Sequence, residues 1–320
     1  MVLKSLEIFP GKVISMSKTE KKYQVGGQAV IEGVMMRSKH FWSLAVRRPD
    51  NTISTKIFKN SSLTVSNKFL GFIFVRGVVS LIESMALGFR ALSYSVNEST
   101  EEEIQFSRKE MTIAIIIAVV FSVGVFFVVP TLIGRSFSDY FPNTIVYNLM
   151  EGLVRIALFL GYILIVSQLK DIKRIFQYHG AEHKTIQAYE NGEKVVLENV
   201  RKYTTVHVRC GTSFLLIVMV VAIIVFAFLG RPPMLLRILY RILLIPVVSG
   251  ISYELIRLAG RFSKYKIVNI LFYPGLLLQK VTTREPDDSQ IEVAMSSFNR
   301  VIEAEDEQKK GKVILETTSS

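Results

Sequence analysis

Long apolar runs alternate with polar segments along the chain, and their lengths predict membrane spans. Residues 112–134 and 213–230 contain no charged side chain, and residues 152–169 and 236–259 carry only a few, mostly near their ends. About 20 apolar residues suffice for a helix to cross a bilayer core of roughly 30 Å. The pattern therefore predicts a mainly α-helical, polytopic membrane protein with about four transmembrane helices in region 112–259. It excludes a soluble or a disordered chain.

The segment before these runs has a different periodicity, which predicts a small N-terminal β-subdomain over residues 23–66. Apolar and β-branched residues alternate at 28–37 and 41–48, a Pro-Asp-Asn turn follows, and 53–58 continues the alternation. Alternation with a period of two is typical of strands, and such turn residues separate paired strands. We expect about three strands here, preceded by a flexible N-terminus at 1–22.

Residues 67–95 are mostly apolar but carry a narrow polar stripe. Arg76, Glu83 and Arg90 recur every seven residues, and Ser80 falls between them on the same side. Seven residues are nearly two helical turns, so these groups share one face of a helix. The stripe predicts an additional amphipathic helix that is interfacial or re-entrant, while a helix that crosses the membrane with its stripe turned toward protein is the alternative.

The charge of the loops predicts the orientation in the membrane. The loop 170–212 carries eight Lys and Arg, whereas the loop 135–150 carries one. Basic loops stay in the cytoplasm, so 170–212 and both termini, including a C-terminal tail at 260–320 whose end looks frayed, are predicted to be cytoplasmic at a bacterial inner membrane. The net charge of +12 is then an orientation signal toward the lipid bilayer, and no nucleic acid is expected as a partner.

The sharpest chemical signal is the pattern H-x-x-E-H formed by His179, Glu182 and His183 in this loop. On a helix the two histidines lie one turn apart on one face, where both imidazoles can bind one metal ion, although Gly180 lowers helix propensity there. Glu182 could activate a metal-bound water or orient an imidazole. The ligand types favour zinc among divalent metal ions, and the alternative is a pair of surface histidines near lipid headgroups.

Further residues could complete such a site. His207 is the leading third ligand, and Cys210, the single cysteine of the chain, is a further candidate three residues later. Glu254 near the end of the last span is a candidate catalytic base, because an ionisable group at that depth is costly unless it is used or paired. The alternatives are an interfacial His207, a small apolar Cys210, and a Glu254 that pairs with Arg257.

A glycine-rich stretch in the β-subdomain forms a second constellation. Gly26 and Gly27 allow close backbone approach, and Glu32 and Arg37 follow within the same stretch. The functional interpretation is that Glu32 and Arg37 line a pocket shared with the histidine loop. The alternative is a glycine bulge without chemistry. His40, the fourth histidine, lies among the same strands.

Several separated motifs together resemble a known family. They are GGQAVIEGVMMRS at 26–38, HGAEHKTIQAYE at 179–190, HVRCGTSF at 207–214, ISYELIRLAG at 251–260 and VTTREPDDSQIEVA at 281–294. They resemble the bacterial DUF1385 family, the YqhQ-like proteins, over roughly residues 23–305. The resemblance implies an integral membrane protein of unknown function, for which a metal-dependent enzymatic activity has been suggested. It implies no substrate.

The sequence as a whole favours a metal-dependent enzyme at the cytoplasmic membrane surface. The reaction would be hydrolysis of a membrane-proximal peptide or lipid headgroup, with Glu182 or Glu254 as the base. The main alternative is a non-enzymatic scaffold or assembly factor with a structural metal or polar site, whose partner is a membrane protein. A transporter is a third class, although the two purest spans offer few polar groups to line a pathway.

Overall fold

The structure is a computed structural model that describes residues 23–60, 73–100, 108–207, 210–261 and 266–311. The predicted flexible segment 1–22 lies outside the described residues. The described part is mainly helical, with one small sheet near its beginning. This confirms the predicted mainly α class with a small β-subdomain.

The sheet has four antiparallel strands in the order β1-β2-β3-β4, namely β1 Gly26–Val30, β2 Gly33–Arg37, β3 Phe41–Arg47 and β4 Ile53–Lys59. The prediction of one strand over 28–37 was wrong because a two-residue turn divides it. Val30 pairs with Gly33, and Glu32 between them has a φ of 51°, a left-handed conformation that strands do not use. Glu32 therefore lies in a turn and not on a strand face.

The helices of the described residues follow in chain order. They are α1 Ile73–Ser99, α2 Arg108–Val123, α3 Val129–Ser136, α4 Thr144–Val166, α5 Lys170–Glu190, α6 Leu197–Val200, α7 Gly211–Ala227, α8 Met234–Leu243, α9 Ile245–Arg261, α10 Lys266–Thr282 and α11 Asp288–Lys309. A short π-helical turn, Gly124–Val128, joins α2 to α3.

Two of these helical segments are long and apolar enough to cross a membrane, which indicates a membrane protein. They are Thr112–Ser136 and Thr144–Val166, and a third is obtained if α8 and α9 are one span bent by 42°. The prediction of four spans was therefore too high for the described residues. The 17 residues of α7 extend only about 25 Å, and the predicted span 236–259 is broken at Leu244, just before Pro246.

Helix α1 packs against α9. A Cβ on Gly77 would come within 3.0 Å of the Gly250 Cα atom, so the two helices approach closely there. Arg76 of the predicted stripe donates two hydrogen bonds of 2.5 and 2.8 Å to one carboxylate oxygen of Glu254. Arg90 lies over the Trp42 ring. Two members of the polar stripe thus contact protein.

The C-terminal part is more ordered than the sequence interpretation expected. Helix α11 begins with a capping box formed by Asp287 and Gln290 and continues to Lys309, so the prediction of a frayed end from residue 301 was wrong up to that point. The reason is a buried apolar face on α11 that packs on the sheet and on α5. Residues 312–320 lie outside the described part.

The sheet separates two apolar layers. One face, with Met36, Phe41 and Ile57, packs against α5 and α11. The other face, with Trp42 and Phe58 stacked at 4.1 Å between ring centroids, packs against α1. Helix α5, which carries the histidine motif, therefore lies beside α11 on one face of the sheet and contacts segments from opposite ends of the chain.

Candidate metal centre

Helix α5 places the two motif histidines side by side. The ring centroids of His179 and His183 lie 4.4 Å apart. Each Nδ1 atom contacts a backbone carbonyl, at 2.8 Å to Thr282 for His179 and at 2.5 Å to Thr205 for His183. Because a carbonyl only accepts, each Nδ1 carries the proton, and each Nε2 keeps the lone pair that a metal would need.

The third converging group is the thiol of Cys210, which caps the start of α7. Its Sγ atom lies 3.3 Å from His179 Nε2 and accepts a hydrogen bond of 3.4 Å from the Thr212 amide. The ligand atoms of His179, His183 and Cys210 all lie within 4.8 Å of one another. Ligands at 2.0–2.3 Å from one tetrahedral ion lie roughly 3.5 Å apart, so this group fits one ion with small adjustments.

His207 lies beside this group but not in it. Its ring centroid is 5.6 Å from that of His183, and its Nε2 lies 3.2 Å from a carboxylate oxygen of Glu190. Gln279 holds the His207 backbone with two hydrogen bonds, and burial lowers the pKa of the imidazole. The structure therefore places His207 in the wall of the site, while Cys210 takes the position of third neighbour to the two motif histidines.

The carboxylate of Glu182 lies against the histidines and away from bulk water. Only 4% of the residue is exposed, and one oxygen lies 3.5 Å from His183 Nε2. Burial raises the pKa of Glu182, while His179, His207 and the Gly27 amide that donates to the carboxylate oppose this effect. A Cβ on Gly27 would come within 2.6 Å of Glu182 Cγ, so the glycine is what admits this side chain.

Gly180 has a comparable role on the other side of α5. A Cβ there would lie 2.1 Å from the carbonyl oxygen of Arg284. This close approach brings the C-terminal end of α10 near α5, so that the Thr282 carbonyl contacts His179. The glycine inside the motif thus serves packing at the cost of helix propensity.

These groups surround a cavity of about 300 Å³. Its wall combines residues at or just before the start of β1, on α5, and at or just before the start of α7: Gln24, Val25, Gly26, Gly27, His179, Glu182, His183, Ile186, His207, Cys210 and Gly211. Segments that are far apart in sequence therefore meet at one site.

The remaining candidates lie in other surroundings. Glu32 forms an ion pair with Arg174, Arg37 lines a second cavity of about 290 Å³ beyond Gly26 and Gly27, and Glu254 pairs with Arg76. None of the three lines the histidine cavity among the described residues. His40 contacts Glu305 at 2.9 Å.

Sequence reasoning missed Glu190 and the two carbonyls that orient the histidines. Glu190 follows His183 by seven residues on α5, so helical periodicity could have identified it. The carbonyls of Thr205 and Thr282 are backbone groups, and no side-chain pattern marks them.

The fold and the site define a helical membrane protein with a candidate metal centre, and comparison with known proteins gives its family. A family described as "Protein of unknown function (DUF1385)" matches residues 72–304. The chain is 37% identical over 309 residues to "Uncharacterized protein YqhQ" of Bacillus subtilis (strain 168), covering 91% of this chain and 96% of that protein. The chain belongs to the DUF1385 family. No solved structure matches it.

Proposed function

We propose that the protein is a metal-dependent hydrolase with zinc as the favoured ion. The observation that carries the proposal is the convergence of His179, His183 and Cys210 beside a buried Glu182. Three protein ligands leave a fourth position open, which is typical of catalytic zinc sites, whereas structural sites are closed by four ligands. When bound, the ion would supply an activated water for attack on a carbonyl.

The donor set fits such an ion chemically. Both imidazoles have Nδ1 engaged by carbonyls, which supports a metal bond at Nε2. Cys210 stands at the amino end of α7, where its Sγ atom accepts a hydrogen bond from the Thr212 amide. Two histidines and a thiolate are ligands that suit zinc.

Glu182 is assigned as the general base and acid of the proposed reaction. Its carboxylate lines the same cavity as the three ligands, so it can accept a proton from a water there and return it to a leaving group. A pKa raised by burial brings the carboxyl group closer to the pH at which it must exchange protons. Glu254 has no comparable position, since its carboxylate is held by Arg76.

The edge of the sheet favours a peptide over a lipid headgroup as the substrate. Within the described residues, β1 pairs with a strand on one side only, and Gly26–Gln28 of this strand are exposed. An extended peptide can add to such an edge through main-chain hydrogen bonds, other than the one that the Gly27 amide already donates to Glu182. The cavity wall includes Gly26 and Gly27, so a peptide on this edge would pass the proposed metal position.

The proposed location is the cytoplasmic face of a bacterial inner membrane, with the basic loop and both termini inside. Reporter fusions after residues 60 and 100 test it: both reporters in the cytoplasm support this orientation, whereas reporters on opposite sides would show that α1 crosses. The latter result would contradict the cytoplasmic placement of the β-subdomain.

Elemental analysis of the purified protein tests the metal centre. We expect about one zinc per chain in the wild type, with a strong loss in His179→Ala and Cys210→Ser and no change in His40→Ala, a control histidine outside the cavity. A wild type without stoichiometric metal would refute the proposal.

The Glu182→Gln variant distinguishes the proposed hydrolase from a non-enzymatic scaffold. We expect this variant to keep its metal and to lose hydrolysis of an unfolded polypeptide such as casein. If metal is retained and the cellular phenotype of Glu182→Gln equals that of the wild type, a structural site in a scaffold becomes the better account.

A further inference from the structure

A second group of buried charges lies between α3, α4 and α8, within the apolar helices. Its centre is Glu151 on α4, whose carboxylate contacts Arg241, Arg155 and Arg237. Thr131 on α3 donates a further hydrogen bond of 2.8 Å to the same carboxylate. No side chain of the three arginines is more than 9% exposed.

The charges in this group do not balance. Three guanidinium groups meet one carboxylate, and among the described residues Glu151 is the only acid that pairs with them. Two positive charges are therefore left over in an environment where an uncompensated ion costs several kcal/mol. Arginines in a membrane region are expensive and normally find a counter-charge.

The neutral partners of the arginines do not remove this excess. Arg155 donates to the Phe126 carbonyl at 2.8 Å, and the guanidinium of Arg241 lies 5.5 Å from the Phe226 ring centroid. Such contacts solvate a cation but leave its charge in place. In addition, the buried Nε atoms of Arg237 and Arg241 have no hydrogen-bond partner among the described residues.

A path of contacts links the group to the surface. The exposed Arg231 lies over the Tyr147 ring at 4.3 Å, and the Tyr147 hydroxyl accepts a hydrogen bond of 3.0 Å from Arg237. Glu151 is about 10 Å from the start of α4, so the group lies toward one end of this helix and away from the bilayer centre. Guanidinium groups match phosphate oxygens in charge and geometry.

We propose that the arginine group around Glu151 binds one phosphate-bearing anion, with the phosphate between Arg237 and Arg241. A phospholipid headgroup and free phosphate share this chemistry. The site is separate from the proposed metal centre, so neither depends on the other.

Ligand binding to the detergent-purified full chain tests the proposal with three probes. They are short-chain phosphatidylglycerol, inorganic phosphate and, as a phosphate-free control, short-chain diacylglycerol. We expect one phosphatidylglycerol per chain and no saturable binding of diacylglycerol. Arg237→Gln should weaken binding about tenfold or more, because it removes a charge-assisted contact. Arg135→Gln, an exposed arginine of α3, should bind like the wild type.

Glu151→Gln should change the affinity for the anion in the opposite direction to Arg237→Gln. It removes the competing carboxylate, so the anion should bind more tightly to the folded Glu151→Gln variant and should stabilise it against thermal unfolding more than it stabilises the wild type. Tighter binding of phosphatidylglycerol than of phosphate identifies a lipid, and equal affinities identify the free anion. The proposal is overturned if neither phosphate probe binds, or if Glu151→Gln fails to bind more tightly while Arg237→Gln, where it folds, binds like the wild type.

Discussion

Gly180→Ala should raise the helix propensity of α5 but introduce a steric clash beside the proposed metal centre. Alanine is better than glycine inside a helix by about 1 kcal/mol, so propensity alone predicts stabilisation. The new Cβ, however, would lie 2.1 Å from the Arg284 carbonyl oxygen and 3.1 Å from Thr205 Cγ2. The first contact is more than 1 Å shorter than a normal carbon–oxygen approach of about 3.3 Å.

The obstacle is backbone and cannot rotate away, so the cost should reach the upper end of the usual range for overpacking, about 3 kcal/mol. Subtracting the gain in helix propensity leaves a net decrease of about 2 kcal/mol in the free energy of unfolding. For a chain of this size that corresponds to a fall of roughly 3 °C in the midpoint of thermal unfolding. We therefore expect a clear destabilisation in detergent-purified protein.

The same substitution should weaken metal binding. Separating α5 from Arg284 also moves Thr282, whose carbonyl orients the His179 ring at 2.8 Å. Loss of such an orienting group typically costs 10- to 100-fold in metal affinity. Gly161→Ala on α4 is the matched control, because a Cβ there meets nothing within 4 Å. A Gly180→Ala variant that is as stable as the wild type and binds metal equally well would refute the packing argument.

Three further substitutions test other contacts. His207→Gln should retain stoichiometric zinc by elemental analysis, and a loss of the metal would make His207 a ligand. Burial raises the pKa of Glu305, but hydrogen bonds from the His40 ring and amide lower it more, so the net pKa is lowered. The stability from Glu305 is present above the pKa of an unfolded glutamate, about 4.3, and is lost as the pH falls through the lower folded pKa. Thermal unfolding of Glu305→Gln should lack this loss. Arg76→Gln should destabilise the protein by about 1–3 kcal/mol, and adding Glu254→Gln should recover part of that in a double-mutant cycle, whereas additive losses would show that the pair is uncoupled.

Local spacing was enough to predict the geometry of the histidine pair. A separation of four residues places His179 and His183 on one helix face wherever a helix forms, and α5 is helical over Lys170–Glu190. Period-two alternation likewise identified the β-subdomain, and apolar length identified Thr112–Ser136. These features depend on neighbours in sequence.

The missed features depend on contacts between distant segments or on signals that were overlooked. Nothing in the sequence tells whether His207 or Cys210 faces the motif, because that depends on how the chain before α7 meets α5. The turn at Glu32 lacks the Asn-Gly or Asp-Gly pair that usually marks a two-residue hairpin. The start of α11 was different, since Asp287 and Gln290 have the spacing of a capping box that the sequence displays.

The proposed metal centre is built from segments that are far apart in the sequence, so a bound metal would stabilise contacts between them. Gly27 lies near one end of the chain and the Thr282 carbonyl near the other, while Cys210 opens α7 after the long polar loop. An ion held by α5 and Cys210 would join α5, which packs on the β-subdomain, to the first turn of an apolar helix. Binding to the folded chain alone stabilises it by about 4 kcal/mol when the free metal exceeds its dissociation constant a thousandfold. Metal occupancy would therefore strengthen the connection between α5 and α7, in addition to any chemistry at Glu182.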